Sequence, residues 1–93
     1  MTKDIGRIKQ KVTKILKEHG VKKAGIFGSY ARGEQNKNSD IDILIEFDGG
    51  LLGLIRLERE ISEEVGKKVD ILTYRSINHL LRKRILKEEI KII

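Results

Sequence analysis

The chain has 93 residues, a formal net charge of +6, no Cys, no Pro and only two His. A chain of this length supports one hydrophobic core, so a single domain over residues 1–93 is expected. The missing Cys excludes disulfides, thiolate metal sites and Cys nucleophiles, and leaves oxygen as the main donor for any metal, which favours Mg²⁺, Mn²⁺ or Ca²⁺. No long apolar run is present and Met1-Thr2-Lys3-Asp4 leads directly into an amphipathic pattern, so neither a membrane span nor a secretory signal is expected, and the location expected is the cytoplasm.

The charge is unevenly spread. Residues 1–23 carry eight Lys or Arg against two acids, residues 24–74 six against ten, and residues 75–93 six against two. An acidic centre between basic flanks suits the steering of a polyphosphate to a metal site, although most of the individual Lys residues read as solvated helix faces.

In chain order, Ile5, Ile8, Val12, Ile15 and Leu16 recur at spacings of three and four, which predicts an amphipathic helix ended by His19-Gly20. Val21 to Phe27 reads as a strand, Gly28-Ser29 as a sharp change of direction, and Tyr30 to Arg32 as a helical turn stopped by Gly33. Glu34 to Ser39 is a polar loop. From Asp40 the sequence alternates, with Ile41, Ile43, Ile45 and Phe47 on one face and Asp40, Asp42, Leu44 and Glu46 on the other, as in a half-buried strand. After the turn Asp48-Gly49-Gly50, the residues Leu54, Leu57, Ile61 and Val65 mark a second amphipathic helix closed by Gly66. Lys68 to Thr73 is a third strand, and Ser76 is the expected N-cap of a last helix using Ile77, Leu80, Leu81 and Ile85. The tail Ile90-Lys91-Ile92-Ile93 fits a frayed helix end or a short edge strand equally well. This alternation predicts an α/β (α+β) domain of two layers, helices on a small mixed sheet.

Asp40 and Asp42 stand two apart on a strand, so their carboxylates share a face a few ångströms apart. Like charges that close repel unless a divalent cation neutralises them. Asp70, on the strand expected alongside, supplies a third carboxylate, and two Mg²⁺ ions held by such a trio clamp the attacking and leaving oxygens of a phosphoryl displacement. Gly28-Ser29, at a strand-to-helix turn, allows a phosphate close to backbone N–H groups, with the Ser29 hydroxyl as a further donor. Arg32 and, with less reason, Lys37 are the cations placed to add charge there.

The spacing Gly28-Ser29, ten residues, Asp40-Ile41-Asp42 resembles the signature of DNA polymerase β-like nucleotidyltransferases. The segments from Gly28 to Gly33 and from Ser39 to Ile45 look like the minimal, MNT-domain branch, and Asp70 within Lys68-Val69-Asp70-Ile71-Leu72 fits as its third acid. The resemblance spans essentially the whole chain. It implies a polymerase-palm-like fold, an NTP donor such as ATP, and two Mg²⁺ ions. Asp40 and Asp42 would hold both ions, Asp70 would complete the ion on the nucleophile side, and Gly28, Ser29 and Arg32 would bind the triphosphate. It also implies a HEPN-domain toxin as partner, with this domain as the antitoxin adding AMP to a tyrosine of that toxin.

A chain this short has no second domain to position an acceptor, so a partner or second subunit is expected to supply it. Leu51, Leu52 and the terminal isoleucines are candidates for that contact, with ordinary core as their simpler assignment. His19 and His79 read as surface residues, and Tyr30 and Tyr74 as packing residues. The basic ends lack interleaved aromatics, which argues against nucleic acid as the partner. The alternative to catalysis is a nucleotide-binding or non-catalytic antitoxin module that neutralises its partner by binding alone.

Overall fold

A computed structural model describes residues 2–93, with side chains from Ile5 onward. Met1 and the side chains of Thr2, Lys3 and Asp4, used above in reading the N terminus, lie outside the described residues. Helix α1 spans Thr2–Glu18. Its Ile8, Val12, Ile15 and Leu16 are buried, as the spacing predicts, and Gly20 ends it at φ +77°. The Val21 N–H donates back to the Leu16 carbonyl, 3.0 Å away. Val21 therefore completes the helix closure, and strand β1 is shorter than expected, Ala24–Phe27.

A one-turn helix α2, Ser29–Arg32, is closed by Gly33 at φ +72°. Strand β2 covers Ile41–Ile45, so Asp40 stands one residue before it. Helix α3 runs from Gly50 to Val65, four residues earlier than the apolar pattern predicted. The reason is Phe47: its ring occupies the space a Cβ on Gly49 would need and lies 3.1 Å from where a Cβ on Gly53 would sit. Gly49, which read as part of a turn, and Gly53 thus let the ring pack against the start of a helix.

Strand β3 is Val69–Thr73 and leads into a 3-10 turn, Tyr74–Ser76. Ser76 is not the cap of the last helix. It accepts nothing from that helix; its hydroxyl donates to the Thr73 carbonyl, and Asn78 Oδ1 accepts from Leu80 N–H at the head of α4, His79–Glu88. The tail resolves to an edge strand, β4, Ile90–Lys91.

The sheet order is β3-β2-β1-β4, with β1 antiparallel to both β2 and β4, and β2 parallel to β3. The parallel pair follows from the α3 crossover, which must carry the chain back before β3 can begin. Ile41, Ile43 and Ile45 of β2, Val69 and Ile71 of β3, and Ala24 and Ile26 of β1 pack against the buried stripes of α1 and α3. Each such buried Ile or Val contributes about 1.5–3 kcal/mol, so the alternation of β2 leaves little choice of face. The even positions point the other way, where Leu44, Tyr74 and Ile77 form a smaller cluster with Phe27 and Ile85. Glu58 of α3 accepts from the Ile71 N–H at 2.9 Å, covering part of the exposed β3 edge.

Of the apolar residues with two readings, Ile92 and Ile93 pack against the core, while Leu51 and Leu52 are each 72% exposed. Leu80, Leu81 and Leu86 of α4 are exposed as well. Among the described residues no helix is long and apolar enough to cross a membrane.

Candidate active site

Because β2 commits Ile41, Ile43 and Ile45 to the helical face, Asp42 emerges on the opposite one. In the parallel pairing Asp42 stands directly beside Asp70, and in the antiparallel pairing it faces Phe27, the last residue of β1. Asp40 lies just before the strand, its carboxylate 3.9 Å from Lys68 Nζ. Burial, then the charges of Asp70 and Asp40, push the Asp42 carboxyl up to about 6, against a smaller opposing pull from Arg32. The sheet has thus put two carboxylates side by side and a third within electrostatic reach.

Gly28 follows β1 immediately and is buried at φ +76°, a conformation L side chains rarely adopt. A Cβ there would collide with Asp42 Oδ2, so only glycine lets this backbone lie against the carboxylate. The Gly28 N–H donates to Glu88 Oε1 at 3.1 Å, and Arg32 Nη1 donates to both oxygens of the same carboxylate at 3.2 and 3.3 Å. Arg32 Nε also donates to Glu34 Oε1 at 2.9 Å. Those hydrogen bonds, Glu34's first and Glu88's second, hold the guanidinium more firmly protonated than usual.

Asp40, Asp42, Asp70, Gly28, Ser29 and Arg32 therefore gather where β1 ends and β2 and β3 begin. Lys37 stays on the exposed loop, where its carbonyl accepts from Lys67 Nζ. Glu88 was not among the residues the sequence singled out. It ends a helix rich in Lys and Arg, and only the packing of α4 over β1 brings it to Gly28. The donor set suits a hard cation: carboxylate oxygens, one of them driven toward protonation by burial and then by its acidic neighbours, against a backbone that leaves room for no side chain. Among the described residues no three acidic or His side chains are already drawn together tightly enough to enclose an ion.

The acid pair at the head of β2 and β3 lies under a glycine turn, and the chain that carries it matches a known family over nearly its whole length. Residues 8–93 fit the family model described as Nucleotidyltransferase domain. The protein belongs to that family and is a minimal nucleotidyltransferase with the fold of its class. It is 55% identical over 92 residues to MJ0435 of Methanocaldococcus jannaschii, which bears the provisional name of a protein adenylyltransferase; the match covers 97% of this chain and 99% of that one. It is 39% identical over 71 residues to the protein adenylyltransferase MntA of Thermococcus cleftensis, covering 74% and 72%. Among solved structures, one described as a minimal nucleotidyltransferase superposes with a TM-score of 0.79 at 34% identity, over 92% of this chain and 90% of that one. A toxin–antitoxin crystallised with AMP-PNP superposes with the same TM-score at 24% identity, over 91% and 72%, and shows likeness of fold.

Proposed function

We propose that this protein transfers AMP from ATP to a hydroxyl on a partner protein, and that it serves as the antitoxin of a HEPN-domain toxin whose tyrosine is the acceptor. The observation that carries the reading is the register of Asp42 with Asp70 beneath the Gly28 backbone. Support for AMP and a protein acceptor comes from the names of its relatives, and support for a toxin partner from the toxin–antitoxin structures of the same fold.

In the reaction the acceptor oxygen bonds to the α-phosphorus, the bond from that phosphorus to the bridging β-phosphate oxygen breaks, and pyrophosphate leaves. Asp40, Asp42 and Asp70 would hold Mg²⁺, which supplies positive charge for the attacking and leaving oxygens. Asp70 would take the proton of the acceptor hydroxyl. The Gly28 N–H, the Ser29 hydroxyl and Arg32 are donors for triphosphate oxygens, with Gly28 tolerating their close approach. In this reading the partner docks its own acceptor tyrosine at the site, and both proteins are cytoplasmic.

The test is transfer of label from ATP marked at its α-phosphate to the purified HEPN partner, by the native protein and by Asp42→Asn. Labelling by the native protein alone is expected. Equal labelling by both would overturn the catalytic assignment. Neutralisation of the toxin by Asp42→Asn without labelling would favour antitoxin action through binding.

A further inference from the structure

Two of the donors assigned above to the triphosphate, the Gly28 N–H and Arg32, are engaged within the chain itself. Glu88, the last residue of α4, places one carboxylate oxygen 3.1 Å from the Gly28 N–H and both within 3.3 Å of Arg32 Nη1. A backbone N–H and a guanidinium converging on two oxygens of one anion is the arrangement that also receives a phosphate. The side chain is only 18% exposed, so this is an inserted carboxylate and no surface ion pair. It is also held beside Asp42, whose charge it opposes.

From this arrangement we infer that Glu88 is an affinity-determining residue of the nucleotide site, an internal stand-in for a phosphate that the incoming triphosphate must displace. The inference rests on the reading that Gly28 and Arg32 receive phosphate oxygens. Three features make Glu88 displaceable. Its contacts of 3.1–3.3 Å are longer than the roughly 2.7–2.9 Å usual for charge-assisted pairs. A triphosphate beside it would repel it, since both are anionic. And the chain immediately after it has other anchors: the Glu89 N–H donates to the Ile85 carbonyl at 3.0 Å, the Glu89 carboxylate accepts from the Tyr74 hydroxyl, and Ile90 pairs with Ile26 in the sheet. Rotation of one side chain therefore opens the cradle while α4 and β4 stay in place. Arg32 keeps its Nε hydrogen bond to Glu34 meanwhile and is not released to solvent.

The experiment is calorimetric titration of the full chain and of Glu88→Gln and Glu88→Ala with Mg-ATP, and separately with inorganic tripolyphosphate, after thermal unfolding has shown each variant folded. Removing a competing charged acceptor worth one such hydrogen-bonded contact should tighten both ligands about tenfold in Glu88→Ala. Glu88→Gln retains an acceptor without the charge and should fall between, and it carries the test if the alanine variant does not fold. Binding that is unchanged or weaker in the variants, with the native protein binding ATP normally, would mean that Glu88 holds Arg32 in its working position. That result overturns this inference and leaves the proposed function standing. Failure of all three proteins to bind ATP would remove both.

Discussion

Asp42 and Asp70 stand directly opposite each other across the parallel pair of β2 and β3, on the face of the sheet turned away from α1 and α3. Nothing in the packing of the core requires two carboxylates there, since each could be replaced by a neutral residue without touching the buried isoleucines. The pair costs the fold energy in the absence of a cation. That cost is measurable.

The Asp42 carboxyl is displaced from 3.8 to about 6 by burial first and by Asp70 and Asp40 next. The folded state then binds its proton more tightly than the unfolded chain does. The associated stability is fully present below about pH 4 and is lost as the pH rises to about 6 and beyond. The displacement bounds the effect at about 3 kcal/mol, and because Asp42 is only half-buried, solvent screening reduces it to about 1 kcal/mol. In metal-free buffer, Asp42→Asn should therefore raise Tm at pH 7.5 by roughly 4–8 °C, with the gain vanishing near pH 4. Thermal unfolding followed by circular dichroism across that range checks it, and a gain that persists at pH 4 would assign the effect to something other than charge.

Magnesium should act in the opposite sense to deprotonation. An ion bound by the folded state alone stabilises it by mass action, about 2.7 kcal/mol at a hundred times its Kd. Millimolar MgCl₂ should raise the Tm of the native protein at pH 7.5. In Asp42→Asn and in Asp70→Asn the response should fall to the level produced by the same ionic strength of NaCl. A Mg²⁺ response that survives both substitutions would place the ion elsewhere.

Gly28 and Gly33 flank the same one-turn helix with nearly equal φ, +76° and +72°, but only Gly28 has a neighbour in the way of a side chain. Alanine at Gly33 meets nothing within 4 Å and should cost only the left-handed strain, about 1–2 kcal/mol. Alanine at Gly28 adds a collision with Asp42 Oδ2, so it should cost more in Tm and also move the carboxylate. Label transfer should drop by at least about a hundredfold in Gly28→Ala, in line with the sensitivity of such reactions to misplacement of about 1 Å, and by far less in Gly33→Ala. Equal losses in the two would show that the backbone angle alone matters.

How much of this was legible beforehand differs from residue to residue. The strand period made the facing of Asp42 readable, because burying Ile41, Ile43 and Ile45 together leaves it one direction only, whereas Asp40, expected on the same strand, stands one residue before it. Asp70 was readable as an acid on an apolar strand, and its partner followed from the β-α-β order. The edge strand Ile90–Lys91 was not decidable, because two residues carry no local signal and the strand exists only through its pairing with Gly25 and Ile26. Glu88 was invisible for a similar reason. Within His79–Glu88 it looks like one more solvated charge, and what distinguishes it is contact with Gly28, 60 residues away in sequence. The early start of α3 was hidden by the Gly49-Gly50 pair, and what Gly49 provides, room for the Phe47 ring, is also tertiary.

The head of α4 offers a direct comparison of two candidate caps. Ser76 precedes an apolar run and has the usual capping side chain, yet its hydroxyl donates backward to the Thr73 carbonyl at 3.0 Å, while Asn78 Oδ1 accepts from the Leu80 N–H at 2.9 Å. Losing the true cap exposes an N–H that α4 cannot satisfy internally. Asn78→Ala should therefore lower stability by about 1 kcal/mol, and Ser76→Ala, which removes only an exposed turn contact, by about 0.5 kcal/mol or less. Since α4 carries Glu88 into the cradle, Asn78→Ala should also loosen that carboxylate and tighten ATP binding, whereas Ser76→Ala should leave it unchanged. Urea unfolding with parallel ATP titrations separates the two. A larger loss from Ser76→Ala would restore the serine as the cap and contradict the observed geometry of the helix start.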